Sequence, residues 1–307
     1  MSAAVASVDI HFLKHRLRAT WMAGDYDRFS RFMESSAVEF LDRVGIPPGA
    51  SLLDVACGSG QLALVAARRG VRVTGVDIAE NSIRAARERA QAEALPAQFD
   101  EGDAEALPYP DASFDVVASL FGAIFAPRPD LVAQELVRVC RPGGTIAMAN
   151  WTKTGFIGQM FALVSKFIAP PGMPAPVLWG DESTVRERLG SAIADFRLTR
   201  VMYQFEYPFS PAGVVDFFRE YYGPTNRAFA ALTTHDQEAL HADLVALWRA
   251  HNQSSLANRT AVDAEYLQVV ATRSACLGVH VGARGGEHPL PSPLSIGVGV
   301  FPRERIR

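Results

Sequence analysis

The chain has 307 residues, 49% of them apolar, with 30 Lys and Arg against 33 Asp and Glu for a formal charge of −3. That length allows one large domain or two small ones with a sizeable core. The mild acidic balance argues against a general nucleic-acid binder, which shows a basic stripe. Three cysteines, Cys57, Cys140 and Cys276, are odd in number and far apart. They read neither as a disulfide framework nor as a metal site, and a reducing cytoplasm is the expected compartment. Asp9, His11, Lys14 and Arg16 interrupt any apolar core near the N-terminus, so no signal peptide is read there. The longest uncharged apolar run, Val116 to Ala126, is well short of the ~20 residues of a membrane span, and no stable membrane insertion is expected.

Taken in chain order, residues 9 to 45 read as helical, and Ile46-Pro47-Pro48-Gly49 stops the pattern. Ser51 to Ala56 is a short buried strand. Gln61 to Arg69 is a helix closed by Gly70. Val71 to Asp77 is a second strand, Glu80 to Glu93 a helix, Gln98 to Glu101 a third strand and Phe114 to Leu120 a fourth. Asp130 to Val139 has helical spacing, and the turn Arg141-Pro142-Gly143-Gly144 leads into a strand over Thr145 to Asn150. Alternating units of this length predict an α/β fold with a mostly parallel sheet and helices on both faces. Beyond residue 150 the rhythm changes. The sequence predicts an apolar helix over Phe156 to Ile168, a proline-rich loop, a short helix from Asp181 to Leu189 and a strand over Phe196 to Tyr207. Helices follow over Pro211 to Tyr222 and His235 to Asn252, the second opening with a capping box from Thr234 to Gln237. Glu265 to Thr272 reads as the last strand. The Gly- and Pro-rich residues 274–307 are expected to form a poorly ordered tail.

The stretch LLDVACGSGQLALVAARRG, residues 52–70, joins a strand to a helix through a small-residue loop. Such a loop cradles a cofactor. A triphosphate loop needs Lys then Ser or Thr after its second Gly, and here Gly60 is followed by Gln61 and Leu62. Gly58 to Ala63 fits the dinucleotide pattern G-x-G-x-x-A, and Asp77 lies 17 residues past Gly60. Against that reading, the strand before the loop carries Asp54. Asp77 ends its strand, where an ionised, acceptor-only carboxylate suits a ribose diol. Asp103 ends the next strand, where it suits an exocyclic adenine amine.

Together DVACGSG, GVDIAE, EGDAEALPYPDASFDVV and VCRPGG, in this order, resemble the class I S-adenosylmethionine-dependent methyltransferases, in particular the group around the ubiquinone/menaquinone C-methyltransferases. The resemblance covers residues 40 to 150, and EYLQVVATR agrees with the family's closing strand. It implies a Rossmann-like seven-stranded sheet, six strands parallel and one antiparallel, and S-adenosyl-L-methionine as cofactor. It also implies roles. Asp54 orders the loop near the methionine amino group. Ala56, Cys57, Gly58 and Gly60 bring backbone close to the amino-acid moiety, glycine having no Cβ. Asp77 holds the ribose, Ile78 packs on the adenine, and Asp103 and Ala104 read its edge. Ser119 and Leu120 face the methyl donor, and Phe121 reaches the acceptor. Residues 1–45 lie over the cofactor, with Tyr26 presented to it. Residues 46–273 form the methyltransferase domain, in which about 155–195 and 209–263 build a helical cap.

The expected function is methyl transfer by in-line displacement to a small, apolar or aromatic acceptor. The aromatic residues of the cap, among them Phe156, Phe161, Phe167, Trp179, Phe217, Phe218, Tyr221 and Tyr222, read either as that acceptor's pocket, with Trp179 and Tyr221 singled out beside Phe121, or as the cap's own core or a homodimer contact. His11, His15, His235, His241, Tyr26 and Tyr221 are the candidate bases for an acceptor that must lose a proton, and no catalytic residue is assigned. Cys57 reads as a small buried hydrophobe. A non-catalytic S-adenosylmethionine binder and an NAD-dependent oxidoreductase are the alternatives.

Overall fold

The computed structural model describes residues 9–275 apart from residue 171. One sheet of seven strands organises them: β1 (Ser51–Val55), β2 (Arg72–Asp77), β3 (Ala97–Glu101), β4 (Phe114–Leu120), β5 (Cys140–Trp151), β6 (Ile193–Tyr207) and β7 (Thr260–Arg273), in the order β3-β2-β1-β4-β5-β7-β6. Pairing is parallel from β3 across to β5, and β7 runs antiparallel to both its neighbours. The arrangement is the Rossmann-like sheet predicted. Leu52, Leu53 and Val55 of β1 are wholly buried, as expected of a central parallel strand covered on both faces. At the far edge, β6 alternates buried Val201, Tyr203, Phe205 and Tyr207 with exposed Met202, Gln204 and Glu206, so one of its faces meets water.

The helices in chain order are α1 (Ile10–Trp21), α2 (Tyr26–Ser30), α3 (Glu34–Val44), α4 (Gln61–Arg68), α5 (Glu80–Ala92), α6 (Pro129–Val139), α7 (Phe156–Val164), α8 (Glu182–Leu189), α9 (Pro211–Tyr221), α10 (Gly223–Ala230) and α11 (Thr234–His251). Several differ from the sequence reading, α7 among them, which ends at Val164 rather than Ile168. The helical run over 9–45 breaks after Trp21, because Gly24 takes φ +72 and a Cβ there would lie 2.5 Å from the Tyr221 carbonyl oxygen. Asp9 and Asp25 then cap α1 and α2 through their carboxylates. α10 was not anticipated; it starts on Gly223-Pro224, and proline suits the first turn because its missing N–H would be unpaired there. α11 is capped one residue earlier than predicted: Thr233 accepts the Asp236 N–H at 3.2 Å and donates to the Asp236 carboxylate at 2.7 Å. The predicted tail lies outside the described residues beyond Ala275, and Ser274 still donates to the Ala192 carbonyl at 2.8 Å.

Between β5 and β6, α8 packs against α6, while α7 packs against α11 and β7. Chain direction across the sheet reverses between β1 and β4, the switch point beside which open α/β sheets bind ligands. Ser119 secures that junction. Its hydroxyl donates to the Val55 carbonyl at 2.8 Å and accepts the Ala123 N–H at 2.9 Å, fully out of water. Ser119→Ala strands both main-chain groups and is expected to lower the urea unfolding free energy by about 2 kcal/mol. A loss below about 0.5 kcal/mol would contradict this role.

Candidate functional site

A cleft opens at the carboxyl ends of β1, β2, β3 and β4. Its first wall is the loop from Ala56 to Gly60. Ala56 takes φ +56 and Gly58 φ +54, left-handed backbone that costs a non-glycine residue energy and concentrates at functional sites. Two bonds fix the loop to β2: Cys57 N–H donates to the Val76 carbonyl at 3.0 Å, and Gly58 N–H donates to Asp77 Oδ2 at 2.8 Å. Asp77 Oδ1 accepts the Ala79 N–H at 2.8 Å, so one carboxylate joins the loop to the segment leading into α5. Burial raises the Asp77 pKa. Behind the loop, Asp54 is fully buried and accepts the Ala63 N–H at 3.1 Å, anchoring the first turn of α4. Burial pushes its carboxyl well above the usual range.

Tyr26 closes the loop from above. A Cβ on Gly58 would lie 2.6 Å from its ring, so only glycine allows this approach. The Tyr26 hydroxyl accepts from Gln61 Nε2 at 3.2 Å, and burial pushes its pKa up to about 12. The polar end of the cleft is lined by Asp77, Ile78, Ser82, Gly102, Asp103 and Ala104. α1 crosses it. Lys14 bonds the Asp103 carboxylate and reaches Glu105 at 2.5 Å, while Arg18 donates to the Ile78 carbonyl at 3.1 Å and to Glu101 at 2.7 Å. The Glu105 side chain is completely buried between Lys14 and Arg128, the latter at 2.7 Å.

The other end is made of rings. Phe121 takes φ +63 at the end of β4, and its ring stacks on Trp151 with centroids 3.8 Å apart and an interplanar angle of 6°. Gly122 presses on the glycine loop; a Cβ there would sit 2.4 Å from the Ala56 carbonyl oxygen. Trp21, Phe125, Phe161, Phe218 and Tyr222 complete this end. Counted out to its open mouth, and with the solvent-filled entrance included, the cleft measures about 1120 Å³.

Residues 53–148 match the sequence profile of a methyltransferase domain. The chain is 36% identical over 230 residues to an uncharacterized protein of Mycobacterium tuberculosis, 74% of this chain and 83% of that one. It is 38% identical over 109 residues to the 2-methyl-6-phytyl-1,4-hydroquinone methyltransferase of Synechocystis, 35% of this chain and 34% of that one. In fold it is similar to phosphoethanolamine N-methyltransferase 2 of Haemonchus contortus in complex with S-adenosyl-L-methionine, with a TM-score of 0.52 and 19% identity over 78% of this chain and 52% of that one. The chain belongs to the class I S-adenosylmethionine-dependent methyltransferases. Its cofactor is S-adenosyl-L-methionine. The cleft of this methyltransferase fits that molecule chemically: hydrogen-bonding oxygens and main chain stand at one end, and at the other are ring faces, which attract a sulfonium as they do an ammonium. No helix among the described residues is long and apolar enough to cross a membrane.

Of the residues singled out from the methyltransferase sequence, Tyr26, Ala56, Gly58, Asp77, Ile78, Asp103, Ala104 and Phe121 line the cleft together. Asp54, Cys57, Gly60, Ser119 and Leu120 stand behind its surface and shape it. Burial raises the Cys57 thiol pKa well above its usual value, so the thiol stays protonated. Asp103 is shared: Oδ1 accepts the Glu105 N–H at 2.9 Å and Oδ2 holds Lys14. Two expected acceptor residues lie elsewhere. Trp179 is in the core, 1% exposed, with the Arg188 guanidinium 4.5 Å over its ring. Tyr221 turns away under Arg28, 4.4 Å from its ring centroid, and the next residue, Tyr222, faces the cleft instead. None of His11, His15, His235 and His241 lines the cleft, and His241 pairs with Asp216 at 3.0 Å. Lys14, Trp21, Phe125, Trp151 and Phe205 escaped the sequence reading. Lys14 and Arg18 share a helix face four residues apart, opposite strand ends rich in acids, and that charge pattern was the available signal.

The α1 latch is unequal. Removing one partner from a buried ion pair costs about 3–5 kcal/mol, whereas an exposed pair contributes about 0–1 kcal/mol. Lys14→Met is therefore expected to speed amide exchange in α1 by at least about tenfold. Arg18→Ala, on a more exposed side chain, is expected to speed it by less than about fivefold. Equal effects would contradict this division.

Proposed function

We propose that this methyltransferase holds adenosine at the polar end of its cleft, the ribose against Asp77 and the adenine beside Ile78, Asp103 and Ala104, and methylates a small apolar or aromatic acceptor lodged at the ring end. One observation carries the reading: among the described residues, the ionisable side chains that line the cleft with a charge, Lys14, Asp77 and Asp103, all sit at the polar end. The ring end presents none to balance or deprotonate a charged acceptor. When bound, S-adenosyl-L-methionine would supply an activated methyl group for displacement at its methyl carbon, the other products being S-adenosylhomocysteine and, from a neutral acceptor, a proton lost to solvent.

The chain's own contribution is positioning, which can supply much of the rate in such a displacement. Asp77, already bonded to two main-chain amides, retains lone pairs for the ribose, since an ionised carboxylate offers about four acceptor sites. Tyr26 and α1 cover the loop and exclude water. Phe121, held in strained backbone against Trp151, forms part of the wall where methyl and acceptor meet. With its pKa pushed up by burial, Tyr26 stays a neutral phenol at physiological pH and serves as a hydrogen-bonding group rather than a base.

Turnover of a metabolite panel with labelled methyl donor tests the acceptor class: label is expected on neutral apolar and aromatic members, and label confined to charged polar members would contradict the reading. The ribose contact has its own test. Ribose hydroxyls donate, so they favour the ionised carboxylate. Burial raises the carboxyl's pKa in the free protein, so S-adenosylhomocysteine affinity is expected to fall with acidification at a pH above that where an ordinary Asp protonates. Asp77→Ala is expected to weaken binding by about 1.5–3 kcal/mol and to remove that limb of the pH profile. An unchanged dissociation constant in calorimetry would contradict the assignment.

A further inference from the structure

Tyr222 is the polar side chain that the ring end leaves unexplained. It is 9% exposed and lines the cleft. Its ring is enclosed by other rings: Phe29 stacks on it at 4.7 Å, and Phe218 and Trp21 meet it edge-on at 5.7 and 5.9 Å. Among the described residues no group hydrogen-bonds its hydroxyl, and burial raises its pKa. Unlike the sealed hydroxyl of Tyr207, it remains accessible from the cleft, so an occupant that covers it without pairing it bears the cost of a buried, unmade hydrogen bond.

The residue is also held firmly. Its N–H closes α9 on the Phe218 carbonyl at 3.0 Å, and its carbonyl opens α10 by accepting the Asn226 N–H at 2.9 Å. Gly223, next in the chain, abuts the end of α1 so closely that a Cβ would lie 2.1 Å from the Thr20 carbonyl oxygen. Three helices thus fix where the phenol stands, as a group selecting a ligand requires. Tyr207 offers a contrast: its hydroxyl is also unpartnered, but it lies in the core and does not line the cleft.

We propose that Tyr222 binds the acceptor by donating a hydrogen bond to an oxygen atom on an otherwise apolar, ring-bearing molecule. This rests on the reading of the ring end as the acceptor's place. The acceptor class narrows accordingly, to neutral arenes carrying a phenol, quinol or carbonyl oxygen. A pocket built around such a donor rejects analogues that lack the oxygen, because the phenol is then left buried and unpaired.

Equilibrium dialysis of the full chain with 2-naphthol and with naphthalene tests this without turnover, S-adenosylhomocysteine affinity being measured alongside by calorimetry. The quantity read is the ratio of the two affinities. Tyr222→Phe is expected to lower the 2-naphthol to naphthalene ratio at least about fivefold, with naphthalene and S-adenosylhomocysteine binding retained. Tyr207→Phe is expected to leave the ratio unchanged. A Tyr222→Phe ratio equal to that of the unaltered protein would overturn the role of Tyr222. A merely structural role would weaken both probes together, and that result also overturns it. If neither probe binds the unaltered protein while S-adenosylhomocysteine does, the ring end is not the acceptor's site, and the proposal fails with the reading beneath it.

Discussion

The cleft depends on one carboxylate. Asp77 accepts the amides of Gly58 and Ala79 at 2.8 Å each, which ties the loop after β1 to the segment between β2 and α5. With the Cys57 N–H to Val76 carbonyl bond, these two hydrogen bonds hold the segments at a fixed separation across the sheet edge. The position of Asp77 follows from β2, whose parallel pairing to β1 and β3 places its last residue at the carboxyl edge. The same carboxylate then faces the cleft with acceptor capacity to spare. On the proposed reading, structure and ligand recognition draw on one group, whose pKa burial raises.

Strain and aromatic packing mark the other end. Ala56 and Phe121 both adopt left-handed backbone, at the ends of the two strands that flank the switch point. Gly122 brings them together through its contact with the Ala56 carbonyl. The rings of Trp151 on β5 and Tyr266 on β7 pack on Phe121 and hold this geometry, the condition under which such conformers persist. α1 is fastened differently, by ion pairs to Asp103, Glu105 and Glu101. The lid over the polar end is thereby electrostatic, whereas the wall around the ring end is apolar. That asymmetry matches a ligand that is polar at one end and cationic beside the reacting centre.

Much of this is legible in the sequence. The strands from β1 to β5 and the helices between them follow from period and punctuation, because in this half each element packs on its sequence neighbours. Asp77, Gly58 and Asp103 were legible because their places follow from strand ends. The cap was not. Which of Tyr221 and Tyr222 faces the cleft depends on how α9 ends against α1, a contact between residues about 200 apart in the chain. Trp179 reads as a pocket residue by composition, yet its segment lies against β5, where a Cβ on Gly180 would meet the Trp151 carbonyl at 2.3 Å. Trp21 and Lys14 were missed for the same reason: their significance lies in what α1 crosses, and local pattern carries no record of it.

The central claim is that adenosine lies along the edge from Asp77 to Ala104 with the sulfur toward Phe121. A crystal structure of the complex with S-adenosylhomocysteine measures this directly. The account predicts both ribose hydroxyls within hydrogen-bonding distance of the Asp77 carboxylate and the adenine between Ile78 and Ala104. A ribose that makes no contact with Asp77, or an adenine placed among Trp21, Phe125 and Tyr222, would contradict it.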